Sequence, residues 1–183
     1  MRPSNALNNN QGFTLLETTI VIVVISILFA IAAPSYLAWS QRKKVDSAIS
    51  SIEGAIKESQ RRAMSMSRTC NVAFTTTLNT PRVTSDPITN TCLITGDRIL
   101  SSVSMQVSKN DTSLTTTGAT PISFDFDYLG NNNNSDAKNI TVVISHNQNT
   151  NLKRCLVVSY PLGLIGTGRY TGTGSSISAN CTR

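Results

Sequence analysis

Residues 11–36 read QGFTLLETTIVIVVISILFAIAAPSY, and the rest of the chain takes its meaning from this stretch. From Thr18 to Trp39 no side chain is charged, and Ile20 to Ala33 is almost solid Ile, Val, Leu, Phe and Ala. At about 1.5 Å rise per residue, a helix of that length crosses the roughly 30 Å hydrocarbon layer of a bilayer. Beyond Ser40 no apolar run reaches spanning length again, and Arg42, Lys43 and Lys44 mark the boundary. The sequence therefore predicts one N-terminal anchor followed by one water-facing domain.

Three kinds of N-terminal segment compete. A cleaved secretory signal has a basic start, a 7–15-residue apolar stretch and a small-residue cleavage site. Ala30-Ile31-Ala32 could serve as that site, but the start carries only Arg2 and the apolar stretch is too long. A plain signal anchor accounts for the length but not for Glu17, a carboxylate at the entrance of the apolar run. Such a charge costs about 2.5–3.5 kcal/mol at a helix centre and less near the boundary, so it calls for a partner.

The third kind supplies one. With Gly12 followed by Phe13, Glu17 four residues past Phe13, Pro34 twenty-one past it and a short hydrophilic leader, the segment resembles the class III signal of type IV prepilins and pseudopilins. The resemblance implies that a membrane aspartyl peptidase cuts between Gly12 and Phe13 and that the new amine of Phe13 is methylated. Glu17 and Pro34 would then be assembly residues: Glu17 attracts the Phe13 amine of a neighbouring subunit, and the helix before Pro34 can loosen within a filament. The partners implied are other pilin or pseudopilin subunits, the prepilin peptidase and inner-membrane lipid. The positive-inside tendency points the other way, because Arg42, Lys43 and Lys44 follow the span and only Arg2 precedes it. The motif needs its leader in the cytoplasm, and the four cysteines suit an oxidising space, so the domain is expected in the periplasm and later in a surface filament.

After the anchor, Val45, Ala48, Ile49, Ile52, Ala55, Ile56, Ala63 and Met66 recur at helical spacing, with Lys57, Glu58, Gln60 and Arg61 elsewhere. One helix is predicted from about Phe13 to about Ser67. From Thr69 the apolar period changes to two, and the expected strands are Cys70–Phe74, Thr91–Thr95, Ile99–Val107, Ile122–Tyr128, Ile140–His146, Arg154–Tyr160 and Ser176–Cys181. Clusters of Asn, Pro, Gly and Ser separate them. The fold class expected is α+β: a long N-terminal helical spine packed against an antiparallel β-sheet domain. Its segments are a leader at 1–12, a membrane and assembly helix at 13–39, an amphipathic continuation at 40–67 and a disulfide-stapled β domain at 68–183. The stretches at 122–130, 139–145 and 153–163 resemble the GspH/FimT family of minor pilins and minor pseudopilins, which implies a filament subunit that primes or caps assembly.

Composition agrees with an exported β-rich domain. The 183 residues include 23 Ser, 23 Thr and 17 Asn, only 14% charged residues, and a single histidine, His146. One imidazole excludes sites that need two, and no serine, cysteine or histidine constellation supports catalysis. No enzyme activity, cofactor or metal is expected. Cys70, Cys92, Cys155 and Cys181 allow three pairings. Cys70–Cys92 and Cys155–Cys181, each pair sitting in one half of the domain, are the favoured ones. A metal site is the poorer alternative because no C-x-x-C is present. Asp125 and Asp127 have a faint likeness to a calcium loop, but Leu129 occupies a ligand position and no glutamate closes it.

The formal charge of +6 favours an acidic partner. Some GspH/FimT-like minor pilins bind DNA through a C-terminal G-R-x-R-like turn. Here the local sequence is Gly168-Arg169-Tyr170-Thr171, with Thr171 in place of the second arginine. Lys153, Arg154, Arg169 and Tyr170 are thus candidate nucleic-acid contacts on a glycine-rich loop, expected to be a hairpin loop. Secreted cargo of a type II secretion system is the other macromolecular partner the family resemblance implies.

Overall fold

In the computed structural model, residues 12–76, 80–85, 92–115, 121–172 and 176–182 are described. The expected leader up to Gln11 lies outside them, as do residues 77–79 and 86–91. The chain divides into two compact units, one ending at Trp39 and one beginning at Ser40. A single helix, α1, runs Leu15–Met66 through Pro34.

Up to Trp39 the large apolar side chains of α1 are exposed, as an anchor requires when only the protein is considered. From Ser40 on, one stripe is buried: Val45, Ala48, Ile49, Ile52, Ala55, Ile56, Ser59 and Ala63. Met66, expected on this stripe, is exposed instead, because the helix is already closing there. Ser67 takes φ +51°, its N–H reaches the Met64 carbonyl at 3.4 Å, and the Arg68 N–H reaches that of Ala63 at 3.2 Å. This is a Schellman closure, with serine in the place glycine usually fills.

Two antiparallel sheets follow. The first has the order β3 (Arg98–Ile99), β2 (Arg82–Ser85), β1 (Cys70–Thr75), β5 (Ile122–Phe126). The second has the order β4 (Val103–Ser108), β6 (Ile140–His146), β7 (Asn149–Val158), β8 (Ile165–Tyr170), β9 (Cys181–Thr182). The buried helix stripe, Val72, Phe74, Phe124 and Phe126 of the first sheet, and Val142, Ile144, Leu156 and Val158 of the second share one core. At about 1.5–3 kcal/mol for each fully buried large apolar side chain, this cluster dominates the folding energy.

Several expected strands need correction. Ile99–Val107 is two strands in different sheets: Ser102 stands at φ +62°, which no strand permits, and the chain changes sheets there. Thr91–Thr95 is not a strand over its described part. Cys92 is held by Cys70, Gly96 turns at φ +81° with its N–H on the Leu93 carbonyl, and Glu58 of α1 accepts from Thr95. Half of Ser176–Cys181 is a 3-10 turn, Ser178–Asn180, before the short β9. The strands β2 and β8 were not expected. In β8, Gly166 and Gly168 weaken the alternation that marks a strand in sequence.

Candidate functional site

The N-terminal unit begins with Gly12, which has open space where a Cβ would stand, and Phe13, which is exposed. The helix starts immediately afterwards because Thr14 caps it. The Thr14 Oγ1 accepts from the Glu17 N–H at 3.2 Å, and the Thr14 carbonyl accepts from Thr18 N–H at 3.2 Å. The sequence Thr14-Leu15-Leu16-Glu17 has the spacing of a capping box, with Glu17 in the first helical turn where the dipole favours a negative charge. The Glu17 carboxylate itself engages no partner among the described residues. The hydroxyls nearby are satisfied within the helix: Thr18 donates to the Leu15 carbonyl, Thr19 to that of Leu16 and Ser26 to that of Ile22, at 2.9, 2.7 and 2.7 Å. An apolar surround can accept them without cost, and Glu17 is the group left wanting. Pro34 lacks the N–H that would bond the Ala30 carbonyl, so the ladder has one missing rung there.

In the domain the disulfides join Cys70 to Cys92 and Cys155 to Cys181, with Cα atoms 5.6 and 5.8 Å apart. The second bridge is informative about β8. Cys155 is on β7, Cys181 is on β9, and β8 lies between them. Two strand spacings would be about 9.6 Å, so β9 must curl over one face of β8 to bring the cysteines together. Gly168 is the residue opposite Cys155 in register. The Gly-rich stretch pairs with β7 from Ile165 to Arg169, so it forms a strand and not the hairpin loop expected from sequence.

The four candidate nucleic-acid residues are split by this strand. Register places Arg154 opposite Arg169 on the side that faces α1, and Lys153 and Tyr170 on the other side. The Arg154 Nε binds the Asp46 Oδ1 at 2.8 Å. The two arginines, Asp46, Glu53, Ser50 and Thr182 line a groove of about 520 Å³. On the opposite side the Lys153 Nζ lies 5.9 Å from the centroid of the Tyr170 ring, a cation–π arrangement. Arg154 is thus partly neutralised, and Arg169 is exposed with no partner among the described residues.

The carboxylates once compared with a calcium loop are in use. Asp125 accepts from Asn71 Nδ2 at 2.7 Å, while Asp127 Oδ1 accepts from the N–H groups of Leu129 and Asn131 at 2.9 and 2.7 Å. His146 is buried, and its Nδ1 accepts from the Gln148 N–H at 3.2 Å, which makes it part of the β6–β7 turn. Elsewhere on α1, Glu58 binds Thr95 and Arg98. Burial alone would raise its pKa, but the hydrogen bonds from Thr95 and the charge of Arg98 outweigh it and hold the carboxyl below its ordinary value.

Sequence reasoning missed one polar contact that organises the domain. Gln60 Nε2 donates to the carbonyls of Gly130 and Gly163, at 2.7 and 3.2 Å, and so ties two distant turns to α1. Only a polar residue beside the buried stripe hinted at it.

A long, exposed apolar helix that opens on a cappable Thr-x-x-Glu and is followed by an antiparallel, disulfide-linked domain suits a membrane anchor with a separate domain behind it. A family model described as the prokaryotic N-terminal methylation motif matches residues 7–33. No curated protein and no solved structure matches the chain. With that motif at the head of the helix, the N-terminal segment is of the prepilin type, which supports a type IV pilin-like protein and implies processing by prepilin peptidase and assembly with other pilins.

Proposed function

We propose that the chain is a minor pilin of the GspH/FimT type, inserted in the inner membrane with its domain in the periplasm and then extracted into a type IV pilus that it primes or caps. It acts as a structural and interaction protein without catalytic activity. The observation that carries this reading is the unpartnered Glu17 carboxylate, placed four residues beyond the Gly12–Phe13 junction on an otherwise apolar, exposed helix. At about 4 Å and an effective dielectric near 20, a neighbour's Phe13 amine would attract it by roughly 4 kcal/mol before desolvation. A misplaced subunit would leave both charges unsatisfied, so the pair sets register. Two disulfides favour the oxidising side of the membrane for the domain. The test is mass spectrometry of the purified protein's N-terminus together with its detection in sheared surface pili. N-methylated Phe13 and presence in pili support the reading. A chain that starts at Met1, or one shortened after Ala32, refutes it.

Two other readings concern the same anchor with a different client. A minor pseudopilin of a type II secretion system would carry the same processed Phe13 but be missing from sheared pili. A DNA-binding minor pilin for transformation is favoured by one observation, the exposed and unpartnered Arg169. It predicts salt-dependent DNA binding that Arg169→Ala reduces. Binding indifferent to Arg169 and Lys153 would end that reading.

A further inference from the structure

A second groove, of about 400 Å³, lies along α1 and shares no residue with the one that holds Arg154 and Arg169. One wall is the helix face carrying Gly54, Lys57, Glu58, Arg61 and Arg62; the other is Ile94, in the loop after Cys92. The two walls are fastened to each other. Cys92 is bridged to Cys70, and the Gly96 N–H closes a turn on the Leu93 carbonyl. The Glu58 carboxylate accepts from the Thr95 N–H at 3.0 Å, from the Thr95 hydroxyl, and from the Arg98 Nη2 at 3.3 Å. Gly54 has nothing within 4 Å of where a Cβ would stand, so the groove is open toward the start of the helix. Ile94, 63% exposed, gives it an apolar flank, and the stems of Lys57 and Arg61 extend that flank along the helix.

The charges along this groove do not cancel. Lys57 is paired with Glu53 and Glu58 with Arg98, which leaves Arg61 and Arg62 without a partner among the described residues. Arg61 is exposed, as a surface arginine usually is. Arg62 is half-buried, and its Nε is enclosed with no hydrogen-bond acceptor. A guanidinium is always charged, and an enclosed N–H without an acceptor is a liability that a bound anion would remove. Two guanidiniums offer more donors than the two oxygens of a carboxylate can take, whereas a tetrahedral oxoanion presents three terminal oxygens. Two uncompensated positive charges also match a phosphate monoester, at about −1.5 to −2 near pH 7, better than a singly charged sulfate ester or phosphodiester. At about 30 Å³ per water the groove has the volume of a dozen or so waters, so an organic body fits beside the phosphate and against Ile94.

We propose that this groove is a binding site for a phosphate monoester with a small apolar body. Arg62 holds the phosphate through its guanidinium and the enclosed Nε–H, Arg61 supplies the second positive charge, and Ile94 packs on the body. The site stands apart from the filament-subunit reading, because none of its residues takes part in the pairing of Glu17 with a Phe13 amine.

The test is isothermal titration of the full chain in an uncharged detergent with phenyl phosphate, phenyl sulfate and inorganic phosphate. Phenyl phosphate is expected to bind. Inorganic phosphate, which lacks the ring, should bind about tenfold more weakly, and phenyl sulfate, which lacks the second charge, about fivefold or more. Arg62→Gln should weaken phenyl phosphate about tenfold or more, while Arg169→Gln, in the other groove, should leave it unchanged. Ile94→Ser, in an exposed loop position, should bring phenyl phosphate down toward the affinity of inorganic phosphate, and it keeps the test decisive if Arg62→Gln does not fold. Each variant is first matched to the parent in melting temperature and in both disulfides. The proposal is overturned if phenyl phosphate does not bind the parent, or if phenyl sulfate or inorganic phosphate binds as tightly. A folded Arg62→Gln or Ile94→Ser that binds like the parent overturns it, as does an equal loss in Arg169→Gln. Binding only to phosphatidylglycerol vesicles, or only to a DNA oligonucleotide, also overturns it and gives the two arginines to a lipid surface or a nucleic acid instead.

Discussion

Replacing Gly163 by alanine tests the claim that a single close approach between two turns and α1 holds the domain's folded geometry. Gly163 has φ +65°, a left-handed conformation that costs a residue with a Cβ about 1–2 kcal/mol. The added carbon would meet the Gly130 carbonyl oxygen at 2.5 Å, the Gln60 Nε2 at 2.9 Å and the Phe126 ring at 3.2 Å. The first is backbone and cannot swing away, so the turns must separate. Separation breaks the Gln60 hydrogen bonds and leaves carbonyls unpaired, at about 1–3 kcal/mol. The expected loss is about 2–5 kcal/mol, or a fall in Tm of roughly 4–20 °C for a domain of this size. The assay is thermal unfolding of the full chain in detergent, followed by near-ultraviolet circular dichroism so that the anchor helix does not mask the domain. Gly54→Ala is the control: that glycine is in α1 with nothing within 4 Å, so alanine should stabilise by up to about 1 kcal/mol. A second check comes from Gln60→Ala combined with Gly163→Ala, whose costs should sum to more than the double variant loses, because both disrupt one contact. A Gly163→Ala protein that melts within about 1 kcal/mol of the parent would refute the argument.

Glu17→Leu should insert and accumulate like the parent yet fail to enter filaments, measured as its share of the sheared pilus fraction; equal incorporation would remove Glu17 from assembly. Cys155→Ser with Cys181→Ser opens a loop of 26 residues and should cost about 3–4 kcal/mol, read from denaturant midpoints with and without reductant. Glu58 gives a pH signature. Its folded pKa lies below the ordinary 4.5, so its stabilisation is complete above the unfolded value and is lost as pH falls through the folded one. Glu58→Gln should therefore be less stable than the parent at pH 7, and the gap should close in acid; a gap that is the same at pH 7 and in acid would contradict the assignment.

What could be read from the sequence was what depends on short-range order along the chain. The spacing of Gly12, Phe13, Glu17 and Pro34, the long uncharged run and the stripe from Val45 to Ala63 are each set by one helix and its surroundings, and no distant partner can alter them. The Cys70–Cys92 and Cys155–Cys181 pairs also join residues close in the chain. Tertiary structure decided whatever two remote segments settle between them. Ser102 turns an expected single strand into two because each half has a different sheet to join. The stretch Gly166–Tyr170 becomes part of a strand because β7 offers an edge for it to pair with. Arg154 and Arg169, which look like neighbours of Lys153 and Tyr170 in sequence, face the other way because a pleated strand sends alternate side chains to opposite sides. The leucines at 129, 162 and 164 look like unremarkable turn residues until Gln60 draws their two turns together, and no periodicity in the chain records that contact.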